Sequence, residues 1–197
     1  MEVHKGFEAL TFESAQAFRN WLEKHAESHP PIWLIFYRKS AFTVSEAIDE
    51  ALCFGWIDSK PNKRDSESYY LFFSPRNPKS RWSAVNKEKV KRLLAEGKIA
   101  APGLRMIELA KSTGTWDALN AVDALEIPDD LGLALDEYPP AKSNFEAFPP
   151  SVKRGILEWI LSAKTKTTRQ KRILETAQLA QFNLRANQYP PQKIPGS

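Results

Sequence analysis

Pro30-Pro31 followed by Ile32-Trp33-Leu34-Ile35-Phe36-Tyr37 constrains this chain more than any other stretch. The two prolines stop any helix that precedes them. The six residues behind them are aromatic or aliphatic without interruption, which reads as a strand covered on both faces and so placed centrally in a sheet. The run is far shorter than the roughly 20 apolar residues a membrane-spanning helix needs. Two further runs supply neighbours. Trp56–Lys60 and Tyr69–Phe73 flank the polar stretch Asn62–Ser68 and predict a hairpin with a long charged connection. Together the three strands make a small, mainly antiparallel sheet.

Helices surround this sheet. Ser14 is placed to cap a helix over 14–27, with Phe18, Trp21 and Leu22 on one face. Thr43-Val44-Ser45-Glu46 is a capping box opening a helix over 44–54, which Gly55 ends. Helices over 84–96 and 102–112 follow, the first stopped by Gly97 and the second opened by Pro102. Residues 116–127 are acidic and lack basic residues, which marks a soft boundary. Beyond it every signal is helical: Pro128-Asp129-Asp130, a turn near Asn144–Phe148, Pro149-Pro150-Ser151, and a capping box at Thr167–Gln170. The expected organisation is an α+β domain over 1–115, an all-α domain over 116–187 and a disordered proline-rich tail over 188–197.

Charge alternates along the chain. Residues 60–105 carry twelve basic and four acidic side chains, and residues 152–197 carry nine and two. Residues 1–59 and 106–151 are acidic by contrast. Such blocks can steer an anionic partner, or can neutralise one another across internal contacts; the second is the commoner outcome. One cysteine excludes a disulfide framework. The N-terminal MEVHKGFEAL lacks the basic-then-apolar pattern of a signal peptide, so the expected location is cytoplasmic with no membrane insertion.

The chemistry concentrates in residues 56–60 and 76–82. Arg76, Lys79 and Arg81 lie on a loop that Pro78 holds extended, and Trp82 follows. Arginine offers planar, bidentate donors suited to phosphate or carboxylate. Trp56, Asp58 and Lys60 come from the first hairpin strand, with Trp56 and Asp58 on one side of it. These seven residues form the candidate ligand-binding surface, for an anionic small molecule or an acidic protein partner. The competing reading is structural: Arg76 or Arg81 pairs with Asp58, and Trp82 plugs the core. Asp58 orients a guanidinium more readily than it acts as a general base, so no catalytic residue is assigned. His25 and His29 are four apart but have no third ligand, so no metal is assigned. Cys53 lies in an apolar context that suppresses its thiolate. No glycine-rich phosphate loop is present, and no cofactor is expected. The basic run at Lys164–Arg172 opposes the dipole of the helix it opens, so helix stability does not explain it.

Taken in order, ALCFGWIDS, YYLFFSPRNPKSRWS, NKEKVKRLLAEGKIAAPG, PDDLGLALDEYPPAKSNFEAF and ILEWILSAKTKTTRQKRI resemble the bacterial YdeI/OmpD-associated family over about residues 10–182. The resemblance implies a helical OmdA region at the C-terminal end and a role in bacteriocin protection or antimicrobial-peptide resistance. It brings no catalytic residue set, and a porin association comes with the family name alone. The leading expectation is therefore a non-catalytic binding or stress-protection protein. A nucleic-acid-binding protein ranks second, and an enzyme acting on an anionic small molecule, with Asp58 as base, ranks last.

Overall fold

The computed structural model describes residues 2–192. Residues 193–197, half of the tail expected to be disordered, lie outside the described residues; Gln188–Gln192 form no helix or strand. The fold is α+β. The chain divides into two compact units, Met1–Ala118 and Leu119–Ser197.

The first unit is built on a five-stranded sheet: β1 (Glu2–His4), β2 (Phe7–Leu10), β3 (Ile32–Tyr37), β4 (Trp56–Lys63) and β5 (Ser68–Pro75). The strand order is β1-β2-β3-β5-β4, antiparallel except for the parallel β2–β3 pair. The sequence predicts three strands; the structure adds β1 and β2, joined by a two-residue turn at Lys5-Gly6. Both turn residues have positive φ, 48° and 82°, as a type I′ hairpin turn requires. The turn signal is a single glycine between runs of three and four residues, too little apolar alternation to read as strands. β3 is central and buried along its first five residues, as its unbroken apolar sequence dictates.

One face of the sheet carries α1 (Ala15–His25), α2 (Val44–Cys53), α3 (Ala84–Ala95) and α4 (Ala101–Thr113). Ile32, Leu34, Phe36, Leu71, Phe73 and Trp56 point into this core and meet Phe18, Leu22, Leu52 and Leu93 from the helices. The caps are those the sequence specifies. Ser14 accepts from the Ala17 backbone, and Thr43 and Glu46 close a complete capping box. Ser83 caps α3. α4 comes so close to the end of α2 that a Cβ on Gly103 would stand 2.3 Å from the Cys53 carbonyl oxygen, so only glycine fits.

The other face holds a smaller cluster of Ala9, Trp33, Ile35 and Tyr70, with Phe7 and Phe72 against it. In a flat sheet β1 and β5 would lie three strand spacings apart, roughly 14 Å. The His4 ring nevertheless stacks on Tyr70 at 4.0 Å between centroids. Glu2 also bonds to Arg64 and Tyr70, and Lys5 reaches Asn62 on β4. The sheet is therefore curled, and side chains of β1 cross its concave face.

The second unit contains α5 (Asn120–Asp123), α6 (Asp129–Asp136), α7 (Ala141–Ala147), α8 (Pro150–Leu161) and α9 (Lys166–Gln181) among the described residues. α9 packs against α6, α7 and α8 around Leu131, Leu135, Phe145, Ile156 and Ala177. Its cap is Thr165, which accepts from the Thr168 backbone, rather than the expected Thr167. The basic run at its start has local partners. Arg169 clasps both oxygens of Asp130 at 2.7 and 2.8 Å, and Arg172 lies over the Trp159 ring at 4.9 Å. Contacts with neighbouring elements thus account for the two arginines of the run, Arg169 and Arg172. No helix among the described residues is long and apolar enough to cross a membrane.

Candidate functional site

The seven residues singled out from the sequence separate by depth. Trp56 and Trp82 are each 1% exposed, and Arg76 is 4% exposed. Asp58 and Arg81 are half-buried, while Lys60 and Lys79 are exposed. Trp56 donates its indole N–H to the Ala26 carbonyl at 2.9 Å. It also lines a cleft of about 210 Å³ with Gly55, Pro102 and Met106. Asp58 pairs across the sheet with Phe73, on the helix-covered face. Burial holds its carboxyl above the usual range, and the nearby Lys89 ammonium partly opposes that. Neither Arg76 nor Arg81 forms an ion pair with Asp58 among the described residues. The ion pair in the competing structural reading is therefore absent among the described residues, while Trp82 does sit in the core as that reading has it. The β4–β5 register sets Asp58 opposite a position three residues before Arg76, roughly 10 Å along the strand.

The structure does bring Arg76, Arg81 and Trp82 together. The Arg76 backbone N–H donates to the Gly55 carbonyl at 2.8 Å, which holds the end of β5. Its Nη2 donates to the Arg81 carbonyl at 2.6 Å, and its guanidinium lies 3.7 Å from the centre of the Trp82 ring. The Nε is buried with no partner. Burial with no facing carboxylate lowers the Arg76 pKa to about 10. A cation so placed rests on the electron-rich face of an indole in place of an anion.

The stack continues outward. Trp82 meets Trp116 at 5.0 Å between centroids, and Lys111 at the end of α4 holds its ammonium 5.5 Å from the Trp116 ring. The Trp82 backbone N–H donates to the Thr115 carbonyl and the Trp116 backbone N–H to the Ala110 carbonyl, which tie the main chain at both residues to the end of α4 and the turn after it. Two cations and two indoles thus run as a ladder, Arg76–Trp82–Trp116–Lys111, from core to surface. At its outer end a cleft of about 490 Å³ opens between α3 and α4, lined by Lys87, Glu88, Val90, Lys91, Leu94, Lys111 and Trp116.

Ion pairs explain why this cleft stands out. Much of the basic block around α3 is neutralised by acidic residues from earlier in the chain. Lys89 and Arg92 both hold Asp49, Arg64 holds Glu2, and Arg105 holds Glu27. Lys91 and Lys111 form no ion pair among the described residues. Sequence reasoning missed Lys91, Lys111 and Trp116 as one group. Spacing on α3 could have supplied part of it, since Lys87, Val90, Lys91 and Leu94 fall on one helical stripe. The contribution of Lys111 and Trp116 depends on how α4 returns beside α3, which no local pattern encodes. Of the other groups noted, His25 and His29 lie edge to face at 5.7 Å, and no metal-ligand cluster occurs among the described residues. Cys53 is buried, and burial followed by the Glu50 charge raises its pKa to about 11.

Two family models match the chain. Residues 10–106 match one described as a domain of unknown function (DUF8412). Residues 124–181 match the family described as bacteriocin-protection, YdeI or OmpD-associated, OmdA. No curated protein and no solved structure matches. The chain thus carries an OmdA family domain, as its sequence resemblance implied, within the second unit; the sheet and the cleft fall in the first.

Proposed function

We propose that this chain is a non-catalytic binding protein of the cytoplasm, and that the lysine-rimmed cleft between α3 and α4 takes an anionic partner. Lys79 and Arg81, on the loop before α3, add further positive charge ahead of that helix, and Arg76 and Trp82 underlie Trp116 in the ladder. Trp56, Asp58 and Lys60 are not among the residues that line this cleft. The observation that carries this reading is the pairing pattern: Lys91 and Lys111 form no ion pair among the described residues and stand beside a half-buried Trp116, whereas their basic neighbours Lys89 and Arg92 share the Asp49 carboxylate. Clefts with convergent polar groups around an apolar floor are the usual form of a binding site. The family description adds bacteriocin protection as the physiological setting, with the anionic partner acting in that response.

The test is binding of poly-glutamate to the full chain, followed by fluorescence anisotropy of the labelled polymer. Charge reversal at Lys91→Glu with Lys111→Glu should weaken binding at least about tenfold, and added salt should weaken binding to the unaltered chain. The unfolding midpoint should move little, because both side chains are exposed. Binding that the double variant leaves unchanged would end the reading.

A further inference from the structure

We infer that the partner of this cleft is an acidic amphipathic helix of another protein, docked along α3; the inference rests on the anion-binding reading above. The shape of the lining is the first argument. Lys87, Val90, Lys91 and Leu94 recur at helical spacing, so the groove follows about two turns of α3, roughly 10 Å. Its accessible apolar surface comes from Leu94, 41% exposed, and the half-buried Trp116, while Val90 is fully buried and offers a partner no surface. An apolar strip flanked by cations complements a helix whose leucines share one face and whose carboxylates flank them.

The kind of cation is the second argument. The groove offers lysines, compact charges on flexible stems that suit carboxylates spaced along a helix. Bidentate phosphate recognition favours arginine forks. No arginine is among the described residues that line the cleft, and Arg76 and Arg92 close by are engaged elsewhere, against Trp82 and with Asp49 and Glu96. Trp116 is engaged by both Trp82 and Lys111, which suits it poorly as a stacking platform for a base. Glu88 also lines the cleft, so a ligand whose charges are patterned fits it better than a uniform polyanion does.

The experiment compares four probes on the full chain by anisotropy. They are a labelled peptide of about 16 residues with leucines at helical spacing among glutamates, a scrambled isomer of the same composition, poly-glutamate, and an oligothymidylate of matched length. The amphipathic peptide should bind at least about tenfold more tightly than its scrambled isomer and than the oligonucleotide. Leu94→Gln should erase that preference while leaving poly-glutamate binding in place. Because Leu94 is partly exposed, its replacement should leave the unfolding midpoint near that of the unaltered chain, and circular dichroism checks this. Equal binding of the two peptides, or tighter binding of the oligonucleotide, would overturn the helical partner but leave an anion site. Failure of all four probes to bind would overturn both readings.

Discussion

On the helix-covered side of the sheet, Arg76 lies buried against Trp82 and forms no ion pair among the described residues. Near the concave side, Arg64 is only a quarter exposed yet clasps Glu2 through two hydrogen bonds of 2.9 Å. The same side chain is stabilised in opposite ways. Arg76 sits in a low-dielectric core where its neighbours are a π face and one carbonyl, and its pKa falls. Arg64 has a carboxylate to hold it, and its pKa rises while that of Glu2 drops to about 2. The difference separates two ways of ordering a small domain. The helical side is held by apolar area, with a cation tolerated inside it. The concave side has too few apolar residues to cover itself, and a polar clamp draws β1 across.

If that contrast is right, the helical side should respond most to loss of bulk. Trp82→Ala removes a fully buried indole, takes away the ring on which Arg76 rests, and undermines Trp116. The expected loss is about 3–5 kcal/mol in the unfolding free energy, measured by denaturant titration monitored by circular dichroism. A loss below about 1 kcal/mol would mean that the ladder does not organise this side of the unit.

The charge of Arg76 should matter much less than the bulk beneath it. Arg76→Met keeps a long side chain against Trp82 while removing a desolvated cation. The Arg81 carbonyl loses its donor and the indole loses a cation, each worth about 1–2 kcal/mol, against the desolvation penalty that is relieved. The net change expected is within about 1 kcal/mol of zero by the same titration. A loss near that of Trp82→Ala would show instead that the cation itself holds the loop from Arg76 to Trp82.

The same contrast explains what could be read from the sequence. The helical side was legible because its signals are local: Ser14 and the Thr43–Glu46 box mark helix starts, Gly55 marks an end, and the unbroken run at Ile32–Tyr37 demands cover on both faces. The concave side was not. β1 has three residues and carries no apolar alternation, and its place is set by Glu2, His4 and Lys5 meeting residues about sixty positions later. The candidate site divides likewise. Arg76 and Trp82 are close in sequence and their side chains meet, whereas Arg81 joins them through its backbone carbonyl. Asp58 was joined to them by charge alone, and the strand register sets it apart. Lys111 and Trp116 escaped notice because only the packing of α4 beside α3 brings them to Lys91.

The smallest expected effect lies in the clamp. Glu2 accepts from Arg64 and from the Tyr70 hydroxyl, at 2.6 Å for the latter, and these bonds hold its carboxyl at about 2, below the ordinary 4.5. A carboxylate with a depressed folded-state pKa contributes stability that is complete above the unfolded-state value. That contribution fades as pH falls from about 4.5 through about 2. Because Glu2 is at the surface, solvent screens the pair and the contribution is modest. Amide exchange in β1 and β2 should therefore accelerate, relative to β3, as pH is lowered through this window, after correction for intrinsic exchange rates. Glu2→Gln should remove most of the differential and leave exchange in β3 unchanged, since β3 is covered by residues on both faces. Equal acceleration in all three strands would mean that the sheet opens as one unit and that its curl does not depend on the clamp.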